Sequence, residues 1–224
     1  MGTIQILRWI IMSLELVACA AGFIYWYKVK RSYWKWFPFY LLFIVLSECV
    51  GYTLSMNKMK DANHAFYNYF EIPAEFLFFF WLFHQSLKTT KNNKLALFSA
   101  VVYIIAWLTD IFYFSKHQFS FYSFSYTTGN LLLLVLILRY YIQLVTSDDI
   151  LSFRTSMLFW VSAGMLLYYL GTFPFYGLTN TLARDYKQLY YSYIYVMYTL
   201  NCLMYLMFTL GFIWSNPNSK YSSS

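Results

Sequence analysis

Long apolar stretches alternate with short polar or basic punctuation along almost the entire chain. A helix that crosses a bilayer needs about 20 mostly apolar residues. Seven stretches meet that requirement, at positions 4–27, 36–56, 66–87, 95–114, 122–145, 153–175 and 188–214. The connections between them are too short to hold a folded soluble domain, and positions 215–224 form a polar tail. No period of about 20–50 residues repeats, so an internal duplication is not expected. The pattern predicts an all-α, polytopic integral membrane protein with one transmembrane domain of seven spanning helices over positions 1–214.

Composition agrees with that expectation. The chain is 60% hydrophobic and 25% aromatic but only 11% charged, whereas a soluble domain carries about 25% charged residues. Disordered chains err the opposite way, being poor in apolar residues and rich in charge. The net charge of +7 does not mark a nucleic-acid surface, which needs its basic residues gathered on one solvated face. Here they fall in short runs between apolar stretches: Lys28, Lys30, Arg31 and Lys35, then Lys88, Lys91 and Lys94. That is the distribution that orients membrane proteins, with Lys and Arg retained on the cytoplasmic side. The first, third and fifth connections and the tail hold nine such residues against six on the opposite side. The N-terminus is therefore expected outside and the tail in the cytoplasm, although Asp148 and Asp149 offset the basic charge of the fifth connection. The implied location is the cell membrane, the cytoplasmic membrane for a bacterial chain. The bilayer is the first partner, and a cytoplasmic or membrane protein docking on the basic first and third connections is the second.

Aromatic clusters such as Tyr25-Trp26-Tyr27 and Tyr190-Tyr191 suit the headgroup zone, where rings with one polar end are enriched. Leu16-Val17-Ala18-Cys19 resembles a lipoprotein cleavage site. Glu15 interrupts the apolar run before it, and the chain stays apolar after it, so an uncleaved first helix is expected. Cys19, Cys49 and Cys202 lack metal-ligand spacing and read as small core residues.

Ionisable residues at membrane depth carry the functional information, because placing each there costs free energy. Counting about 1.5 Å of rise per residue, Glu15, Glu48 and Glu75 fall near the midplane of the first, second and third stretches. Glu71 lies one turn outward from Glu75 on the same helix face, Asp110 is at a similar outer depth, and Asn130 and Asn201 are near the centre. An acidic residue at the bilayer centre costs about 2.5–3.5 kcal/mol, so three facing lipid would cost roughly 8–10 kcal/mol, as much as a whole domain's stability. They are expected to face the bundle interior, pooled in one cavity or each at its own helix contact. Arg139, roughly 9 Å toward the cytoplasm from the centre, either snorkels to the headgroups or pairs with a carboxylate or an anionic ligand. In the last stretch Tyr191, Tyr195, Tyr198, Cys202, Tyr205 and Thr209 recur at helical spacing beside Asn201, as the lining of a cavity or as a hydrogen-bonding seam. Trp160, Gly164, Tyr168 and Gly171 share a face suited to close helix packing. Pro73, between Glu71 and Glu75, either kinks its helix or unwinds it beside both carboxylates.

Several chemistries lack their residues. The last stretch has no lysine to anchor retinal, and no histidine pattern or GxSxG motif appears, so no metal, cofactor or nucleophile is expected. The first expectation is a membrane sensor or receptor-like protein. It would bind a small ligand, lipid or proton at buried carboxylates and signal to a cytoplasmic partner. A small proton-coupled transporter or channel comes next, followed by a structural subunit of a membrane complex; enzymatic activity is the least favoured.

Overall fold

The structure, a computed structural model, describes residues 2–87, 93–113, 123–146 and 153–217. Among these every regular element is helical. The helices are α1 (Gly2–Ile24), α2 (Trp26–Val29), α3 (Trp36–Met56), α4 (Lys60–Phe66), α5 (Ile72–Ser86), α6 (Asn93–Phe112), α7 (Ser123–Val145), α8 (Met157–Asp185) and α9 (Lys187–Trp214). Among the described residues six segments are long and apolar enough to cross a membrane: Gln5–Ile24, Tyr33–Met56, Lys94–Phe112, Phe124–Val145, Met157–Tyr176 and Lys187–Trp214. This is a multi-pass membrane protein. Lys88, Lys91, Lys116, Lys220, Asp148 and Asp149, which entered the charge count, lie outside the described residues, as does most of the polar tail.

The structure differs from the sequence reading at three places, each for a local reason. The stretch at 66–87 is not one regular α-helix. α4 passes through a π-helical turn at Tyr67–Glu71 into α5, with Pro73 at the restart. Proline cannot donate a backbone hydrogen bond, and its ring clashes with the carbonyl four residues earlier; a widened turn removes that conflict. The connection before it is also shorter than the polar residues imply. The chain reverses over Asn57–Met59, with Lys58 in the left-handed region at φ 58°, and α4 begins at Lys60 with Asp61 in its first turn. Lastly, the segment 176–187 is helical almost throughout. α8 continues to Asp185, and only Tyr186 separates it from α9. Leu178 and Leu182 keep helical spacing there, and Leu182 is buried. At 29 residues α8 is about 44 Å long, longer than the roughly 30 Å hydrocarbon layer. Its far end carries the exposed Arg184–Asp185 ion pair at 2.9 Å, whose hydrogen bond and charge hold Asp185 below the usual carboxylate range.

The chain divides into two compact units. Unit 1 comprises 1–46, 137–171 and 195–224. Its core is aromatic: Phe37 lies 5.2 Å from Phe208 and 5.6 Å from Phe212, ring centre to ring centre. Close helix approaches surround it. A Cβ on Gly164 would lie 3.0 Å from the Met204 carbonyl oxygen, and one on Gly22 would lie 3.0 Å from Pro38. Lys28 ties α2 to the end of α9 by donating to the Ile213 carbonyl at 2.5 Å, where a cation also complements the helix dipole. Burial lowers the pKa of this ammonium from the usual lysine value. The Asn216 N–H donates to the Thr155 carbonyl at 3.0 Å and closes the same end.

Unit 2 comprises 47–136 and 172–194. Phe76, Phe79, Phe80, Leu82, Phe83 and Tyr103 are almost completely buried in it. Tyr103 of α6 packs on Phe76 at 4.9 Å and Phe80 at 5.9 Å. One turn later on α6, Trp107 reaches back to Asn68, so α6 runs antiparallel to the helical run at 60–86. Outward-facing positions on α6, among them Leu97, Phe98, Val101 and Ile105, are exposed and apolar, as a lipid-facing surface requires.

Candidate functional site

Five of the ten sequence-nominated residues, Glu48, Glu71, Glu75, Asp110 and Asn130, fall in unit 2. Glu71 closes the π-helical turn and is buried, and Glu75 sits one turn on, partly buried. The widened turn displaces a backbone carbonyl from the regular ladder, and the Trp107 indole N–H satisfies the carbonyl of Asn68 at 3.1 Å. The Asn68 side chain is itself buried, and its Oδ1 has no hydrogen-bond partner among the described residues.

Glu48 on α3 meets the same turn from the other side. The Tyr67 hydroxyl donates to Glu48 Oε1 at 3.2 Å. The Tyr67 ring lies directly against the backbone of Gly51, where an added Cβ would be 2.8 Å from the ring's Cζ. Glycine is required there because only a missing side chain leaves room for the phenol.

Asp110 has a structural task. Its Oδ2 accepts the backbone N–H of Ser125 at 2.6 Å, and the Ser125 hydroxyl bonds the same carboxylate. Ser125 lies in the first turn of α7, so Asp110 caps that helix from a neighbouring one. The orphan N–H groups and the positive dipole end of α7 compensate a carboxylate that is only 1% exposed. Tyr126, next along α7, packs on Phe76 at 5.3 Å and on Tyr176 at 4.0 Å. A Cβ on Gly129 would press into the Phe76 ring at 2.8 Å. Asn130 follows, fully buried.

Tyr103 lies at the centre of these contacts, 0% exposed, and its hydroxyl has no hydrogen-bond partner among the described residues. Burying an unpaired hydroxyl costs about 1–3 kcal/mol, so the group calls for an explanation. Sequence reasoning passed over Tyr103, Tyr67 and Asn68. The available signals were Tyr103 seven residues before Asp110 on one helix face, and Tyr67 and Asn68 just ahead of Glu71.

Glu15, Arg139, Tyr198, Asn201 and Tyr205 belong to unit 1. Glu15 is buried, 4% exposed. Asn201 is partly buried, and its Oδ1 has no partner among the described residues. Tyr205 is buried, Tyr198 is half-buried and Arg139 is exposed, the placement that snorkelling requires. The tyrosine stripe does not share one environment: Tyr191 and Tyr195 are exposed while Tyr205 is buried.

No group of three His, Cys, Asp or Glu side chains among the described residues comes close enough to hold a metal ion. Compared with protein families, curated proteins and solved structures, the chain matches none.

Proposed function

We propose that the chain is a sensor-type membrane protein that binds a small ligand or a proton at the acid-lined interior of unit 2. In this reading seven segments cross the bilayer, with the run at 60–86 as the third. The N-terminus lies outside, and the tail with the basic first and third connections faces the cytoplasm, where a partner protein docks. One observation carries the proposal: the fully buried Tyr103 hydroxyl has no partner among the described residues, and its helix packs on α5 at Phe76 and reaches through Trp107 to the π-helical turn that ends in Glu71. Widened turns of this kind occur frequently at functional sites, and intramembrane carboxylates mark ligand or proton positions.

The test is a solute screen on the purified full chain in lipid nanodiscs, read as intrinsic tryptophan fluorescence and unfolding temperature. A solute or a pH step should shift both in the parent protein, and Glu75→Gln should abolish the shift. If no solute or pH change acts through Glu75, the reading is wrong.

Transport is the second reading, favoured by one departure from regular α-helix, the π-helical turn at Tyr67–Glu71. Carriers place binding sites at such broken helices. Flux into proteoliposomes that depends on Glu75 would select it over sensing.

A further inference from the structure

We infer that one end of unit 1 is a binding surface for the headgroups of anionic phospholipids, built from the connection between α1 and α3 and from the residues that lead into α8. It uses none of the carboxylates of unit 2 and stands independently of the binding reading above.

The connection is a folded piece of chain. The Lys28 N–H donates to the Tyr25 carbonyl and the Lys30 N–H to the Trp26 carbonyl, both at 2.9 Å. Ser32 donates twice to the Val29 carbonyl, from its N–H at 3.0 Å and its hydroxyl at 2.9 Å. Val29 and Trp34 are buried, 1% and 3% exposed, while Lys30, Arg31 and Lys35 are exposed. A backbone held in this way presents its cations already in place, so an anion that binds them meets less ordering cost.

Direct contacts bring α9 and α8 to the same end. Lys28 Nζ donates to the Phe212 and Ile213 carbonyls, which fastens the connection to the last turn of α9. From there Trp214 packs on Trp160 at 4.9 Å. The Trp160 indole N–H donates to the Arg154 carbonyl at 2.9 Å, and the Asn216 N–H donates to that of Thr155. The exposed Arg154 thus joins Lys30, Arg31 and Lys35. Among the described residues of unit 1 the one carboxylate is Glu15, buried about 14 Å along α1 from Ile24. Asp148 and Asp149 lie outside the described residues, and even counted against Lys28, Lys30, Arg31, Lys35 and Arg154 they leave positive charge in excess.

Depth selects a lipid over a soluble polyanion or a protein. Apolar spans end at Ile24 and Trp214 and begin at Tyr33 and Met157, so these cations flank the span ends directly. The Lys35 ammonium lies 5.5 Å from the centre of the Trp36 ring, and the Arg154 guanidinium 5.8 Å from that of Phe153. Trp36 and Trp214 are themselves half exposed, as rings at the headgroup level are. Phospholipid phosphates occupy that level, and clusters of about four to eight basic residues beside a span attract anionic lipid. The exposed, apolar Ile24 and Phe39 continue the surface inward, where acyl chains lie and where a soluble anion would gain nothing.

Native mass spectrometry of the purified full chain, titrated with phosphatidylglycerol or with phosphatidylcholine of the same acyl chains, counts bound lipid directly. The parent should prefer phosphatidylglycerol. Arg31→Gln or Lys35→Gln alone should cut that preference about fivefold, the effect of one basic residue beside an anionic surface. Lys30→Gln, Arg31→Gln and Lys35→Gln combined should abolish it. All three side chains are exposed, so unfolding temperatures in phosphatidylcholine should match the parent's. Lys60→Gln, the same charge change on α4 of unit 2, should leave the preference intact. Raising ammonium acetate from about 0.1 M to about 1 M shortens the Debye length from about 10 to 3 Å and should weaken it. Inorganic phosphate at matched ionic strength should not displace the lipid.

Four results would overturn the inference: equal affinity of the parent for the two lipids, a preference retained in the triple variant, a preference lost equally in Lys60→Gln, or displacement by inorganic phosphate. Equal affinity would return the basic end to a protein partner, and displacement by phosphate would assign it to a free anion. None of these outcomes bears on Glu75, so the binding reading stands or falls separately.

Discussion

Replacing Asp110 separates a structural carboxylate from a functional one. The side chain accepts the Ser125 N–H at 2.6 Å in a place that is 1% exposed. Asp110→Ala removes a charged acceptor and leaves a helix N-terminal donor without its partner. A hydrogen bond to a charged group contributes about 1.5–3 kcal/mol, and loss of an N-cap alone costs about 1 kcal/mol. A loss of about 2 kcal/mol is expected, which in a chain of this size lowers Tm by roughly 4–8 °C. Asp110→Asn keeps an acceptor of equal capping rank and gives up only the interaction of the charge with the helix dipole, about 0.3–1 kcal/mol. The order of stability should therefore be parent, then Asn, then Ala, measured by thermal unfolding of the purified protein in one detergent. Unchanged stability in Asp110→Ala would refute the capping role. So would an Asn variant as damaged as the Ala variant, because the acceptor itself would then be irrelevant.

Other substitutions test the remaining contacts. Gly164→Ala should destabilise unit 1 by about 1–3 kcal/mol, because the new methyl would meet the Met204 backbone carbonyl at 3.0 Å. Gly171→Ala should cost less, since it meets only the movable end of Leu200; thermal unfolding of the two variants side by side checks the order. Gly51→Ala should displace the Tyr67 ring and break its bond to Glu48, so that adding Tyr67→Phe costs less in this background than in the parent, as a double-mutant cycle would show. Lys58→Gly should raise stability by up to about 1 kcal/mol, because a side chain at φ 58° carries a left-handed penalty that glycine does not.

Much of the architecture was legible in the sequence because the bilayer imposes its own length scale. α3 spans Trp36–Met56, the same bounds that hydropathy marks, since apolar residues run unbroken between the basic punctuation and Asn57. Polarity is a poor guide outside the apolar layer, where a helix no longer needs to be hydrophobic. The end of α8 reads as a loop from Thr179, Asn180 and Thr181, yet the backbone remains helical to Asp185. Pro73 pointed to the right place in the third stretch, but no sequence pattern separates a kink from a π-helical turn. The same limit governs the site. Depth along a helix can be counted from residue numbers, which brought out Glu71, Glu75 and Asp110. Which neighbour each one faces depends on helix pairing, so the cap on Ser125 and the place of Tyr103 became visible only in three dimensions.

The most direct test of the account is a density map of the protein in a lipid nanodisc, resolved well enough to show ordered ions and water around Glu75. The account predicts a non-protein peak within hydrogen-bonding distance of the Tyr103 hydroxyl or the Glu75 carboxylate. A Tyr103 hydroxyl bonded directly to a protein group, with no density beside Glu75, would contradict it.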